Sequence, residues 1–288
     1  MYEIITDSAS NLTDGIIEEY GIKIIPLIYR IGDEDYKSFE NGKNADVRPF
    51  YERMRRGEPA STAQITAPAF RDAFEEILKE GKDLLYIGFS SALSGSFNNS
   101  SLAADELRSL YPERTIAVVD SRSVSMGLGL LIYYAVKLKA GGASLEEVKA
   151  WISENIPRLC HWFTVDDLMY LKRGGRISPT TAIVGTLMGI KPILHVDGEG
   201  RLINVGKVRG RRHSVEELFN NMKKTCEKPE DQVVFIGHGD CIEDARYLES
   251  LVRGAFPVKD VVINYIDAVI GAHSGPGTLA LFYLGRER

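Results

Sequence analysis

Short unbroken apolar runs alternate with helically spaced ones through the first half of the chain. "YEIIT" (residues 2–6), "KIIPLIY" (23–29), "DLLYIGF" (83–89) and "TIAVVD" (115–120) read as buried strands. Between them the spacing changes to that of helices. Thr13 caps a short helix through Tyr20 that stops at Gly21, and "VRPFYERMRRG" reads as a helix ended by Gly57. Thr66 is an N-cap with Pro68 in the first turn, Phe70, Phe74, Ile77 and Leu78 on one face, and Gly81 as terminator. After the turn "FSSALSGS" (89–96), Ala103, Leu107 and Leu110 share a helical face. "SMGLGLLIYYAVKLKAGG" is apolar nearly all round, which predicts a buried helix, and "SLEEVKAWISEN" opens with a capping box from Ser144 to Glu147. Residues 31–46 are polar and predict a hairpin or loop.

Near residue 157 the rhythm changes. "LCHWFTV" is strand-like, "DDLMYLKRGGR" is a short helix ending in glycines, and Ser178 with Pro179 starts another helix. "KPILHVDGEGRLINVGKV" alternates around Asp197–Gly200 as a β-hairpin does. A helix capped by Ser214, the strand "QVVFIGHG", a helix through Arg253, and the strands "VVINYID" and "TLALFYLG" complete the chain. The expectation is an α/β fold of two domains, residues 1–158 with a mostly parallel sheet flanked by helices and residues 159–288 with a mixed sheet and helices.

Composition narrows the function classes. The 288 residues carry a net charge of -5, which favours solubility and lacks the basic excess of a nucleic-acid surface. No apolar run is long enough to span a bilayer and no signal core leads the chain, so a cytoplasmic location is expected. Cys160, Cys226 and Cys241 lie far apart, as do the five histidines, so neither a disulfide framework nor a metal site is expected.

Three polar turns, "TDSAS" (6–10), "FSSALSGS" and "VVDSRS" (118–123), stand where strands give way to helices, the usual ligand position in open α/β sheets. Asp7, Ser8, Ser94, Gly95 and Ser96 belong to them, and plain helix capping is the competing explanation. Ser94 lacks the G-x-S-x-G context of a hydrolase elbow, although His273 in "AHSGPGT" comes late in the chain as a hydrolase histidine would. No phosphate loop is present, and "MGLGLL" sits inside an apolar helix instead of forming a dinucleotide fingerprint. Arg173 and Arg176 flank two glycines in "LKRGGRIS", either easing a helix C-terminus or facing an anion or an acidic partner.

Together "YEIITDSASNL", "STAQIT", "FSSALSGSFNNS", "VVDSRSVSMGLG", "LMYLKRGGRIS", "IKPIL" and "AHSGPGTLALFY" resemble the DegV family over essentially the whole chain. The resemblance implies a protein without catalysis or cofactor of its own that holds one long-chain fatty acid between two domains. It further implies that the carboxyl is presented to a separate ATP-dependent fatty acid kinase, which makes an acyl-phosphate for phospholipid synthesis. On this chain the family's carboxylate contacts fall on Thr62, Ser94 and His273, and its basic motif falls on Arg173 and Arg176, for the head group or the kinase. Transient membrane contact is compatible with such a role. Where members usually read T-S-Q-P-S, this chain has Thr62-Ala63-Gln64-Ile65-Thr66, which keeps the first hydroxyl and loses the second together with the proline. The alternatives are a serine esterase or thioesterase using Ser94 and His273, and a lipid-sensing regulator. A carboxyl head held by a few hydroxyls at a helix start would explain the serine-rich turn after "YIGF".

Overall fold

The N-terminal half grows outward from β1 (Tyr2–Asp7). In the computed structural model, which describes residues 1–178 and 189–288, β1 lies between β2 (Lys23–Ile25) and β8 (Asp83–Gly88), with β9 (Ile116–Asp120) beyond, all parallel. Alternate residues of these strands face opposite layers, so both faces are apolar. Ile4, Leu85 and Ile87 join the core of α1 (Asp14–Tyr20), α5 (Met126–Ala140) and α6 (Leu145–Asn155). Ile5, Leu84 and Tyr86 meet α3 (Ala67–Lys79) and α4 (Ser96–Leu110).

"KIIPLIY" is not one strand. β2 ends at Ile25, and β3 (Ile28–Ile31) belongs to a separate antiparallel sheet with β4 (Glu34–Lys37) and β7 (Ala60–Ala63). Pro26 between them has no N–H to give a ladder, so the chain changes sheets there. The polar stretch 31–46 forms the β3–β4 hairpin and a small second one, β5 (Phe39–Glu40) with β6 (Lys43–Asn44). α2 (Arg48–Arg55) buries Phe50, Tyr51 and Met54, with Phe50 edge-on to Tyr29 of β3 at 5.2 Å.

The second half is a six-stranded sheet in the order β12-β11-β10-β15-β13-β14. Its strands are β10 (Leu159–Thr164), β11 (Ile190–Val196), β12 (Leu202–Arg209), β13 (Val233–His238), β14 (Asp260–Tyr265) and β15 (Leu279–Leu284). Only β13 and β14 pair in parallel, so the sheet is mixed. α7 (Leu168–Arg173) follows β10, and α8 (Arg211–Thr225) and α9 (Ile242–Ala255) cover one face. α8 starts one turn before the expected Ser214 cap, because Gly210, with φ at +92°, turns the chain straight from β12 into the helix. Ser214 Oγ instead donates to the Arg211 carbonyl at 2.6 Å. The helix expected to begin at Ser178–Pro179 falls on residues 179–188, outside those described.

Two elements tie the halves together. α5 is apolar on all sides because it packs on both sheets: Gly129 lies against the Ser10 carbonyl, and Gly127 against His161 and Phe282. α10 (Ala268–Ser274) packs on α2, β3 and β7. It replaces the loop expected around His273, since Asp267 caps it by accepting from Ile270 N at 3.0 Å and the helix runs on to Gly275. The tip of the β11–β12 hairpin is also held across the junction. Ser90 Oγ donates to Gly200 O at 3.0 Å and Arg122 Nη1 to Gly198 O at 3.1 Å. None of the described helices is long and apolar enough to cross a membrane.

Candidate ligand-binding site

Where the two sheets face each other, a cavity of about 270 Å³ opens. On the N-terminal side its wall comes from residues just beyond the carboxyl ends of parallel strands: Leu27 after β2, Phe89 after β8, and Val124 and Ser125 after β9. On the C-terminal side it is one sheet face, read off the pairing. Phe163 opposes Ala280, His161 opposes Phe282, and Val196 opposes Leu202. Ile266, Val269 and Ile270, leading into and along α10, complete an apolar body.

Most of the polar groups collect in one place. Thr62, Gln64, Ser94, Gly95, Arg176 and His273 line the cavity, and Thr62, Arg176 and His273 also line an outer cleft that contains Tyr170 and Arg173. These side chains therefore stand between the cavity and the surface, at its mouth. Thr62 comes from β7 and His273 from the last turn of α10, and Thr62 Oγ1 and His273 Nε2 are 2.8 Å apart. Burial, and then the positive charge of Arg176, push the His273 pKa down to about 4, so its imidazole is neutral near pH 7. Its Nδ1 has no hydrogen-bond partner among the described residues and lies under Gly174, where a Cβ would stand 2.3 Å away.

Ser94 is wired to a different neighbour. Its Oγ donates to Ser96 Oγ at 3.0 Å and accepts from Ser96 N at 3.2 Å. Ser96 Oγ in turn accepts from Ile65 N at 3.1 Å, which joins the serine turn to the "STAQIT" segment. A hydrolase chain of nucleophile, base and acid is therefore not assembled among the described residues: His273 faces Thr62, and no carboxylate holds its Nδ1. No group of three His, Cys, Asp or Glu side chains among the described residues is placed to hold a metal.

The other sequence candidates divide. Gly95 lines the mouth and Ser96 lies buried behind it. Asp7 and Ser8 do not line the cavity. Asp7 is buried and accepts from Tyr86 Oη at 2.7 Å, Ala9 N at 3.0 Å and Phe89 N at 3.2 Å, and burial pushes its pKa up to about 6. Ser8 Oγ accepts from Leu27 N at 2.9 Å and from Ser38 Oγ at 2.6 Å. Both act on the cavity indirectly, by fixing the backbone of the wall residues Phe89 and Leu27. The two arginines also part. Arg176 is half-buried at the mouth, donating to Leu93 O at 3.2 Å and Gly174 O at 2.5 Å. Arg173 is exposed in the outer cleft, 4.7 Å over the Tyr170 ring. Gln64 and the apolar wall were not singled out from sequence. Two-residue spacing from Thr62 was the available signal for Gln64, whereas the wall is assembled from segments that only the fold brings together.

Fold and cavity together define a two-domain α/β protein enclosing a largely apolar chamber with a polar mouth. The chain belongs to the DegV family: the family model "Uncharacterised protein, DegV family" matches residues 1–286. It is 44% identical over 286 residues to a DegV domain-containing protein of Clostridium perfringens, covering 99% of this chain and 97% of that one. Among solved structures, a DegV family protein from Thermus thermophilus, studied for its fatty acid binding, superposes with a TM-score of 0.89 at 28% identity over 99% of each chain. DegV of Bacillus subtilis, a fatty-acid-binding protein, superposes with a TM-score of 0.84 at 27% identity, again over 99% of each.

Proposed function

We propose that this protein is a carrier that holds one long-chain fatty acid in the cavity, its carboxyl at Thr62, Ser94 and His273, and presents it to a separate ATP-dependent fatty acid kinase. The carrying observation is the cavity's asymmetry: an apolar body with its polar side chains concentrated at one surface-facing end. Burial supplies about 0.8 kcal/mol per CH₂, on the order of 10 kcal/mol for a long chain before binding costs. The polar mouth then decides which end faces out. Two hydroxyls and a neutral imidazole can hold a carboxylate without locking it in an ion pair. Arg176 adds a positive charge at the mouth, and two of its five N–H donors go to backbone carbonyls. Its charge favours an anion at the mouth. Arg173, on the outer cleft, suits the kinase encounter. The setting for this role is the bacterial cytoplasm, with acyl-phosphate passing to phospholipid synthesis and transient membrane contact for loading.

Native mass spectrometry of the purified protein should show a retained mass matching a fatty acid. With ATP and magnesium ions alone the loaded protein should form no acyl-phosphate, and product should appear once a fatty acid kinase is added. Failure to take up palmitate in any form would overturn the carrier reading, and acyl-phosphate made by the protein alone would overturn the division of labour.

A further inference from the structure

Gln64 stands two residues beyond Thr62 and, like it, lines the mouth of the cavity. The carboxamide rests on Gly95: a Cβ built there would lie 2.0 Å from Gln64 Oε1 and 3.1 Å from its Cδ. Gly95 has an ordinary helical backbone, with φ at -70° and ψ at -4°, so its conformation does not call for glycine. A side chain at this position would displace the glutamine lying across it. Each of the other polar side chains of the mouth already has a partner within the protein, with capacity left for a ligand. Thr62 is bonded to His273 at 2.8 Å, Ser94 to Ser96 at 3.0 Å, and Arg176 to two backbone carbonyls. Gln64 has two donor hydrogens and an acceptor oxygen, yet makes no hydrogen bond among the described residues.

We propose that Gln64 is a ligand-contacting residue whose carboxamide, seated on the Gly95 backbone, hydrogen-bonds the carboxyl group at the mouth. This rests on the fatty-acid reading above. An amide suits the position because its NH₂ donates to a carboxylate, its oxygen accepts from a protonated acid, and neither adds charge. Exposed on its outer side, the side chain can swing off the glycine when the carboxyl is to be reached from the outer cleft.

The test compares palmitate with hexadecanol, which has the same chain and a neutral head. Gln64→Glu places a second carboxylate at the head group, and two carboxylates sharing a site resist being ionised together. Palmitate binding by this variant should be about tenfold weaker than wild type at pH 8 and recover toward wild type as the pH falls to about 5, where one of the pair takes up a proton. Hexadecanol affinity should be unchanged at both pH values. A second arm uses Gly95→Ala. In the wild-type background the new methyl displaces the carboxamide and weakens palmitate binding. In a Gln64→Ala background the methyl's three nearest contacts are gone, and its effect should shrink to less than about twofold. Equal palmitate affinity of Gln64→Glu and wild type at pH 8, a parallel loss of hexadecanol, or a Gly95→Ala effect indifferent to residue 64 would each overturn the role of Gln64. If wild type binds neither palmitate nor hexadecanol, the fatty-acid reading itself fails.

Discussion

Asp267 shows how a residue remote from the mouth governs it. Its Oδ1 caps α10, the helix that carries Val269, Ile270 and His273 to the cavity, and the carboxyl as a whole is buried. Burial pushes its pKa up to about 7, against an ordinary value of 3.8. A carboxyl whose pKa is raised by folding contributes stability at low pH and loses it as the pH rises through the folded value. Above pH 7 the native protein therefore carries a buried charge that opposes folding. Asn caps helices as well as Asp does and stays neutral. Asp267→Asn should melt at a higher temperature than wild type at pH 8, and the gap should close as the pH is lowered from about 7 toward 4. Thermal melts across that range check it. A gap independent of pH would mean that folding does not shift the pKa of this carboxyl.

At the level of elements, most of the parallel sheet and its helices were legible because their signals are local. Thr13, Thr66 and Ser144 each cap the helix that their position announces. The misreadings came where one residue outweighed the pattern around it: Pro26 split an apolar run, Gly210 moved a helix start, and Asp267 made a helix of a glycine-rich tail. The mouth was legible residue by residue but not as an arrangement, since the contact between Thr62 and His273 spans 211 positions. α5 offers a sharper case. Glycine inside a helix is ordinarily a cost of about 1 kcal/mol relative to alanine. At Gly129 the sign should reverse, because a Cβ would lie 2.5 Å from the backbone carbonyl of Ser10, which cannot give way as a side chain could. Gly129→Ala should destabilise by about 1–3 kcal/mol, as overpacking does. Gly254→Ala in α9, where nothing lies within 4 Å, should be neutral or stabilising by up to about 1 kcal/mol. Denaturant titrations of the two variants check the contrast.

For the whole molecule, the two sheets are structurally distinct but not energetically independent. One hydrophobic core holds Ile4 and Leu85 of the first sheet, Leu130 and Leu131 of α5, and Phe163, Leu194 and Phe282 of the second. Unfolding should accordingly be a single transition by both far-ultraviolet circular dichroism and the fluorescence of Trp151 and Trp162, one in each half. If the chain is divided at 158/159, the fragment 1–158 should be expanded and dye-binding instead of native, since one side of α5 would face water. Two resolved transitions, or a well-folded fragment, would show that each half stands alone. The doubly buried helix also matters on the ribosome. α5 is complete at Ala140, but its partners on β13 and β15 are translated only up to Leu284. At elongation rates of about 5–20 residues per second that interval lasts on the order of ten to thirty seconds. Throughout it the nascent chain displays a greasy helix that cannot yet be covered, a natural target for a cotranslational chaperone.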